Sequence, residues 1–176
     1  MSELADFLNG LSVAEATTAL EKCCASSHWI SGMLAARPFR DTQTVEATAA
    51  NVWRSLNRPS YLEAFSAHPR IGDVKSLRAK FANTKGWAQG EQARASEANE
   101  ETLSQLAEGN DAYLKKFGYI FIVCATGKTA KEMLQILESR LPNEGNTELQ
   151  IASEEQLKIT WLRLQKLIED LPKENQ

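Results

Sequence analysis

The chain has 176 residues, of which 43% are hydrophobic and 24% charged, and these values are ordinary for one globular domain. Its formal net charge of -3 and the lack of a basic run or stripe argue against a nucleic-acid-binding protein. The longest apolar run, residues 119–125, is far shorter than the roughly 20 residues of a membrane-spanning helix.

The first half of the chain is predicted to form a series of short helices. Ser12 and Glu15 have the spacing of a capping box, in which each side chain pairs with the backbone N–H of the other residue. Ser60 and Glu63 have the same spacing and predict a second capping box. Pro38 should end one helix, because proline disrupts a helix interior. The helices predicted in this half cover residues 11–26, 27–39, 41–56, 61–67 and 74–84.

The second half is predicted to form three longer helices, over residues 96–118, 130–141 and 143–171. Gly118 suits a left-handed residue at the end of the first of these helices. Thr129, with Glu132 three residues later, is predicted to cap the second. The third helix has a stripe that we expect to face the core, made of Leu149, Ala152, Gln156, Ile159, Leu162 and Leu167.

Residues 119–125, YIFIVCA, are ambiguous. Their β-branched and aromatic content suits a buried strand, but the sequence offers no second strand-like segment with which it could pair. We therefore expect buried extended chain or helix within an all-α domain. No internal repeat, low-complexity tract or linker divides the chain, so residues 1–176 are predicted to form a single compact multi-helix domain.

The cysteines and the termini bear on the cellular compartment. Cys23, Cys24 and Cys124 form an odd set without CxxC spacing, which favours buried thiols in a reducing cytoplasm over a disulfide framework or a zinc site. The first ten residues contain acids and no basic segment, so we expect no signal peptide. The final LPKENQ is not a peroxisomal address, and we expect a cytoplasmic protein.

The stretch AFSAHPRIGD contains His68, one of only two histidines in the chain. Pro69 should push the backbone at His68 towards an extended conformation, at the point where the preceding helix ends. Histidine titrates near neutral pH, so His68 could act as a general acid or base. It could equally be a polar residue that caps the turn. His28, beside Trp29, is a weaker candidate.

Three further polar residues are candidates for substrate binding. Glu91 and Gln92 could together bind a polar heterocycle, or could simply lie on a solvated helix surface. Arg163 lies between two leucines, so it either extends its charge to solvent or binds an anion. The stretch ATGKT, residues 125–129, lacks the upstream glycine of a phosphate-binding loop, and we reject that assignment.

Taken together, four segments resemble those of the 2-oxo-4-hydroxy-4-carboxy-5-ureidoimidazoline (OHCU) decarboxylases, which complete the conversion of urate to allantoin. The segments are AFSAHPRIGD, EQA, GNDAYLKKFGYIFIVCATGKTAKEML and NTELQIASEEQLKITWLRLQKL, within a resemblance over about residues 7–169. The resemblance implies an all-α fold, a homodimer, a small-molecule substrate and no cofactor or metal.

The resemblance also implies roles for individual residues. His68 matches the catalytic histidine of the family and Pro69 the proline of its motif. The remaining matches are to substrate-binding positions, namely Glu91, Gln92, Phe121, Val123 and Arg163. One departure is Ala88, where the family usually has a serine that could offer the substrate a hydroxyl.

Two alternatives to this assignment remain open at the level of sequence. One is a non-catalytic helical domain that binds a partner through its Trp and Leu faces. The other is a hydrolase of the same pathway that acts on 5-hydroxyisourate, the earlier intermediate. The rate at which freshly generated OHCU disappears would distinguish both alternatives from a decarboxylase.

Overall fold

The computed structural model describes the backbone of residues 3–70, 73–81 and 89–169, and the side chains of these residues apart from 80 and 89–99. Every regular element in these ranges is an α-helix, which confirms the predicted all-α fold class. None of the helices described is long and apolar enough to cross a membrane. The helices are α1 Glu3–Gly10, α2 Val13–Cys23, α3 Ser27–Ala35, α4 Thr42–Arg54, α5 Arg58–Ser66, α6 Val74–Phe81, α7 Gln89–Phe117, α8 Ala130–Arg140 and α9 Gly145–Glu169.

The chain forms two compact units. The first unit consists of the residues up to Ala67 and those from Ser153 onward. It therefore contains α1 to α5 and the larger part of α9. The second unit runs from His68 to Ala152 and contains α6, α7, α8 and the start of α9.

Two buried tryptophans organise the core of the first unit. Trp29 donates its indole N–H to the carbonyl of Ala49 at 3.1 Å, which joins α3 to α4. Trp53 donates to the carbonyl of Ser153 at 2.8 Å, which joins α4 to α9. A buried indole N–H requires such a partner, so each bond fixes the direction in which the ring packs. The core around them contains Leu4, Leu8, Leu20, Met33, Phe65 and Leu164.

The second unit is built on close packing of α7 against α8. Gly109 of α7 faces Leu137 of α8, and a Cβ at residue 109 would lie 2.5 Å from the Cδ2 of that leucine. The absence of a side chain at Gly109 therefore permits the close approach of the two helices. The apolar core of this unit includes Leu103, Leu106, Met133, Leu134 and Leu137.

Two of the three predicted capping boxes are confirmed. Ser12 with Glu15 caps α2, and Thr129 with Glu132 caps α8, each with both side chain to backbone bonds present. Such bonds join residues three positions apart, so they need no tertiary context.

The predicted capping box at Ser60 and Glu63 is wrong. α5 begins earlier, with Asn57 as its N-cap, whose side-chain oxygen accepts from the Ser60 N–H at 3.3 Å. Pro59 is tolerated in the first turn because that position needs no backbone N–H. The carboxylate of Glu63 instead accepts from the backbone N–H and the hydroxyl of Ser27, at the start of α3.

Two helix starts also differ from the prediction. α1 was not predicted, because a helix of eight residues has little stability of its own and depends on burying Leu4, Ala5 and Leu8. α7 begins at Gln89 rather than at Ser96. Gly90 in its first turn is a poor helix former and gives no local signal for an earlier start.

The face of α9 that packs inward is more polar than predicted. Ala152 and Gln156 are buried as expected, whereas Leu149, Ile159, Leu162 and Leu167 are only half-buried. Gln156 and Thr160 occupy the buried face because they satisfy each other: the Gln156 amide donates to the Thr160 hydroxyl at 3.2 Å, and that hydroxyl donates to the Gln156 carbonyl at 2.9 Å.

Candidate active site

The histidine loop begins where α5 ends. Ala67 is the C-cap of α5, so His68 is the first residue beyond the helix, and its side chain is half-buried. Pro69 follows it and is exposed. Further along the loop, the Arg70 guanidinium donates to the Asp111 carboxylate of α7 at 2.9 Å, within the second unit. In sequence, His68 therefore lies between the end of α5 on one side and Pro69 and the ion-paired Arg70 on the other.

Glu91 and Gln92 are the third and fourth residues of α7. Their side-chain positions lie outside the part of the chain described, as does Ala88. Their predicted roles in substrate binding therefore stay predictions.

The segment 119–125 is neither helix nor strand, in agreement with the extended alternative. Gly118, with φ of +80°, ends α7 in the left-handed conformation that glycine adopts without strain. The side chains then alternate: Ile122 and Cys124 are buried, whereas Phe121 and Val123 are half-buried. Phe121 and Val123 therefore share one side of an extended segment.

Arg163 lies in the last part of α9, in the first unit, and its side chain is half-buried. It lines an open cleft of about 830 Å³ together with two other cations, Lys22 and Lys166, and one acid, Glu15. The acid is already bound to the backbone of Ser12. The excess of positive charge suits a ligand that offers carbonyl or anionic oxygen. The rest of the lining is largely apolar, with Phe7, Leu11, Ala14, Thr18, Ala19, Cys23 and Leu167.

The thiols near this cleft are in their neutral form. Burial raises the pKa of Cys23 to about 12 and that of Cys24 to about 11, and the charge of Arg163 offsets only part of this effect. A nucleophilic cysteine needs a lowered pKa, so neither residue is suited to that role. All three cysteines of the chain are buried and none is in a disulfide, which confirms the prediction of buried thiols.

A buried ion pair of the second unit was not anticipated from the sequence. Arg140, 5% exposed at the end of α8, donates its Nε–H to Glu148 Oε1 at 2.8 Å, and Glu148 is fully buried in α9. The Tyr113 hydroxyl donates to the same oxygen at 2.5 Å, and the Asn143 amide donates to the other at 3.0 Å. Burial, followed by the bond to Glu148, raises the pKa of Tyr113, so the hydroxyl remains a donor.

A sequence signal for this pair existed. Glu148 lies four residues before Ala152 and eight before Gln156, on the stripe of α9 that was expected to face the core. A carboxylate on a buried stripe predicts a cationic partner, because an unpaired buried charge is strongly unfavourable.

The described side chains contain no cluster of three or more histidine, cysteine or acidic residues that could hold a metal ion. Of the predicted site residues, His68, Pro69, Glu91, Gln92, Phe121 and Val123 belong to the second unit and Arg163 to the first.

The comparisons with known proteins agree on one family. Residues 9–165 match the model of the OHCU decarboxylase family. The chain is 41% identical over 154 residues to the uric acid degradation bifunctional protein TTL of Arabidopsis thaliana, which covers 86% of this chain and 47% of that protein. This chain thus spans about half of that relative. It spans about a third of the bifunctional protein PucL of Bacillus subtilis, to which it is 27% identical, over 93% of the chain and 32% of PucL.

A shorter relative and a solved structure match over most of their lengths. The chain is 32% identical to the OHCU decarboxylase of Xenopus laevis, over 73% of each chain. A crystal structure of an OHCU decarboxylase in the presence of (S)-allantoin is 40% identical, with a TM-score of 0.67 over 85% of this chain and 96% of that one. The match to the family model and these likenesses show that this chain belongs to the OHCU decarboxylase family.

Proposed function

We propose that this protein is a decarboxylase that converts OHCU to (S)-allantoin and carbon dioxide, without a cofactor, in the last step from urate to allantoin. The observation that carries the proposal is the 40% identity to a solved OHCU decarboxylase over 96% of that chain, whose structure was determined in the presence of (S)-allantoin. The match to the family model, over residues 9–165, spans all seven proposed site residues.

The substrate can take up the electrons that its own decarboxylation releases. Its C4 carries a hydroxyl and a carboxylate, and the neighbouring C5 is an imine carbon. When the bond from C4 to the carboxylate breaks, the electron pair forms a C4–C5 double bond, and the imine nitrogen takes up a proton. The resulting enol then gains a proton at C5 and loses one from its hydroxyl, which gives allantoin. This chemistry requires of the protein only binding, orientation and proton transfer.

His68 is the proposed proton carrier for the C4 hydroxyl. Its half-buried side chain stands at the end of α5, so the ring is partly shielded from solvent while it remains open to a ligand. Histidine exchanges protons near neutral pH, which suits the removal of one proton and the delivery of another. Pro69 restricts the backbone beside His68 and so contributes to the direction of its ring.

The other proposed site residues bind and orient the substrate. Glu91 and Gln92 would bind the N–H and C=O groups of the ring and the ureido arm. Main-chain groups at Phe121 and Val123 would form one wall of the pocket. Arg163 would bind a ring or ureido carbonyl in preference to the carboxylate. A tight ion pair to the departing carboxylate would stabilise the ground state and oppose its loss.

A homodimer in the cytoplasm is the proposed working form, with the whole chain acting as one functional domain. Light scattering at micromolar concentration would test the dimer, and a monomeric mass would contradict it.

The test of the activity is a time course of urate with uricase, in the presence and absence of this protein. Ultraviolet absorbance follows the intermediates, and circular dichroism follows the appearance of chiral allantoin. A decarboxylase removes OHCU faster than its spontaneous decay. A hydrolase acting on 5-hydroxyisourate would remove the earlier intermediate and leave OHCU to decay alone. A non-catalytic interaction domain would leave both rates unchanged.

The product should be a single enantiomer. The enol is planar, and in water its two faces accept a proton equally, so the spontaneous product is racemic. A pocket that exposes one face needs a difference of only about 2.7 kcal/mol between the two approaches for a roughly hundredfold preference. Chiral chromatography of product formed above the spontaneous background should show (S)-allantoin. A racemic product formed at an accelerated rate would contradict face-selective protonation.

A further inference from the structure

The extended segment 119–125 is held by side chains from outside it. The Ile122 carbonyl accepts from Arg140 Nη1 at 2.8 Å, and the Cys124 carbonyl accepts from Lys128 Nζ at 2.7 Å. A strand or a helix would fix these carbonyls through the regular backbone pattern. Here two cations of the second unit replace that pattern, so the course of the segment depends on them.

Arg140 contacts the segment in two ways at once. One edge of its guanidinium bonds to the Ile122 carbonyl, and the Phe121 ring lies with its centroid 4.7 Å from Cζ. The other edge is fixed by Glu148 through Nε and Nη2. The Tyr113 ring meets Phe121 edge-on, with the centroids 5.2 Å apart. Phe121 is therefore in contact with both the Arg140 guanidinium and the Tyr113 ring.

Stability alone is a poor explanation for this arrangement. A buried ion pair loses much of its Coulomb energy to desolvation, and well-packed apolar residues of similar volume often stabilise a core equally well. An apolar replacement could fill the space, but it could not hold a carbonyl. A lysine could keep the charge, but it lacks the planar fork that reaches a carboxylate and a carbonyl together. The property specific to arginine is the fixed orientation of its partners.

We propose that Arg140, fixed by Glu148 and Tyr113, is a positioning residue that sets the geometry of Phe121 and Val123 for the substrate. This inference rests on the proposed function, because it takes the main-chain groups at Phe121 and Val123 to be one wall of the pocket. Arg140 itself does not touch the substrate: it is 5% exposed and acts through the segment that it holds.

The test compares two variants with a control. Arg140→Lys keeps the charge and removes the fork. The double variant Arg140→Met with Glu148→Leu replaces the ion pair by apolar side chains. It therefore removes the hydrogen bond to the Ile122 carbonyl without leaving an unpaired charge. The control is Leu137→Val, which weakens the core one turn earlier in α8. Leu137 is fully buried and lies outside the cluster formed by Arg140, Glu148 and Tyr113. Thermal unfolding identifies which proteins are folded.

Four quantities are then measured on the folded proteins: kcat, KM, the enantiomeric purity of allantoin and the rate of amide hydrogen exchange. We expect both cluster variants to lose roughly 10- to 100-fold in kcat, because small displacements of a binding group are costly to an oriented reaction. KM should change by less than about threefold, which indicates a loss in the transition state rather than in ground-state binding. The enantiomeric purity of allantoin should fall, and amide hydrogen exchange at residues 120–124 should quicken. The control should change none of these.

The outcomes separate this inference from the proposed function. If the wild-type protein does not accelerate OHCU decay, the proposed function fails, and hydrogen exchange still shows whether Arg140 holds the segment. Exchange at residues 120–124 that is as slow in both folded variants as in the wild type would overturn the inference in either case. If the wild type is active and the folded cluster variants keep its kcat and product purity, the inference is overturned. The decarboxylase assignment is then unaffected.

Discussion

At the scale of single residues, the two histidines provide an internal comparison. His68 stands half-buried at the end of α5, whereas His28 is exposed in α3 and its Nδ1 lies 3.3 Å from the Ser60 hydroxyl. We expect His68→Asn to fold normally and to lose roughly 10²- to 10⁴-fold in decarboxylation rate, the usual contribution of a positioned proton carrier. His28→Asn is the matched control and should keep full activity. Unchanged turnover in His68→Asn would refute the proposed role.

Arg163 can be tested against a neighbouring cation of the same cleft. The side chain of Arg163 is half-buried, whereas Lys166 is exposed on the same wall. Arg163→Ala should slow OHCU turnover and let some of the enol be protonated in solvent, so the product should contain more of the minor enantiomer. Lys166→Ala should leave rate and enantiomeric purity close to those of the wild type. Equal effects of the two substitutions would assign the loss to general charge rather than to a specific contact.

At the scale of elements, the N-cap of α4 should make the stability of the folded chain depend on pH. The Asp41 carboxylate accepts from the Thr44 hydroxyl at 2.6 Å and from the Thr44 backbone N–H at 2.7 Å. These two bonds, followed by the contact with Arg40, lower the pKa of Asp41 to about 2. The ordinary value is about 3.9. A lowered pKa contributes stability that is present above the unfolded value and is lost as the pH falls through the folded value.

Asp41→Asn tests this dependence, because asparagine is also a good N-cap but does not titrate. Between about pH 4 and about pH 2, the free energy of unfolding of the wild type should fall more steeply than that of the variant. Urea unfolding at a series of pH values would measure both slopes. Parallel slopes would show that the cap does not titrate in this range.

At the scale of the whole molecule, the proposed reaction predicts independence from added metal and organic cofactors. Its electron sink lies in the substrate, so extensive dialysis against a chelator should leave OHCU turnover unchanged. The same preparation, supplied with divalent metal, serves as the control. Restoration of lost activity by metal would contradict this mechanism.

Much of the helical architecture could be predicted from the sequence because its signals are local. The caps of α2 and α8 join residues three positions apart, and Gly118 ends α7 through its own φ angle. The histidine loop was likewise found from consecutive residues. Bonds and conformations of this kind are settled within one or two turns, so they can be predicted before any packing is known.

Packing between distant parts of the chain decided the rest. The spacing of Ser60 and Glu63 suggested a capping box, but the Glu63 carboxylate instead accepts a hydrogen bond from Ser27, 36 residues away. Trp53 finds its partner 100 residues further on, at Ser153. Arg140 pairs with Glu148 only once the packing of α8 and α9 has buried both charges. The hydrogen bond from Arg140 to the Ile122 carbonyl depends on the same packing. Burial makes an unpaired polar group costly, and which groups become buried together is a property of the tertiary structure.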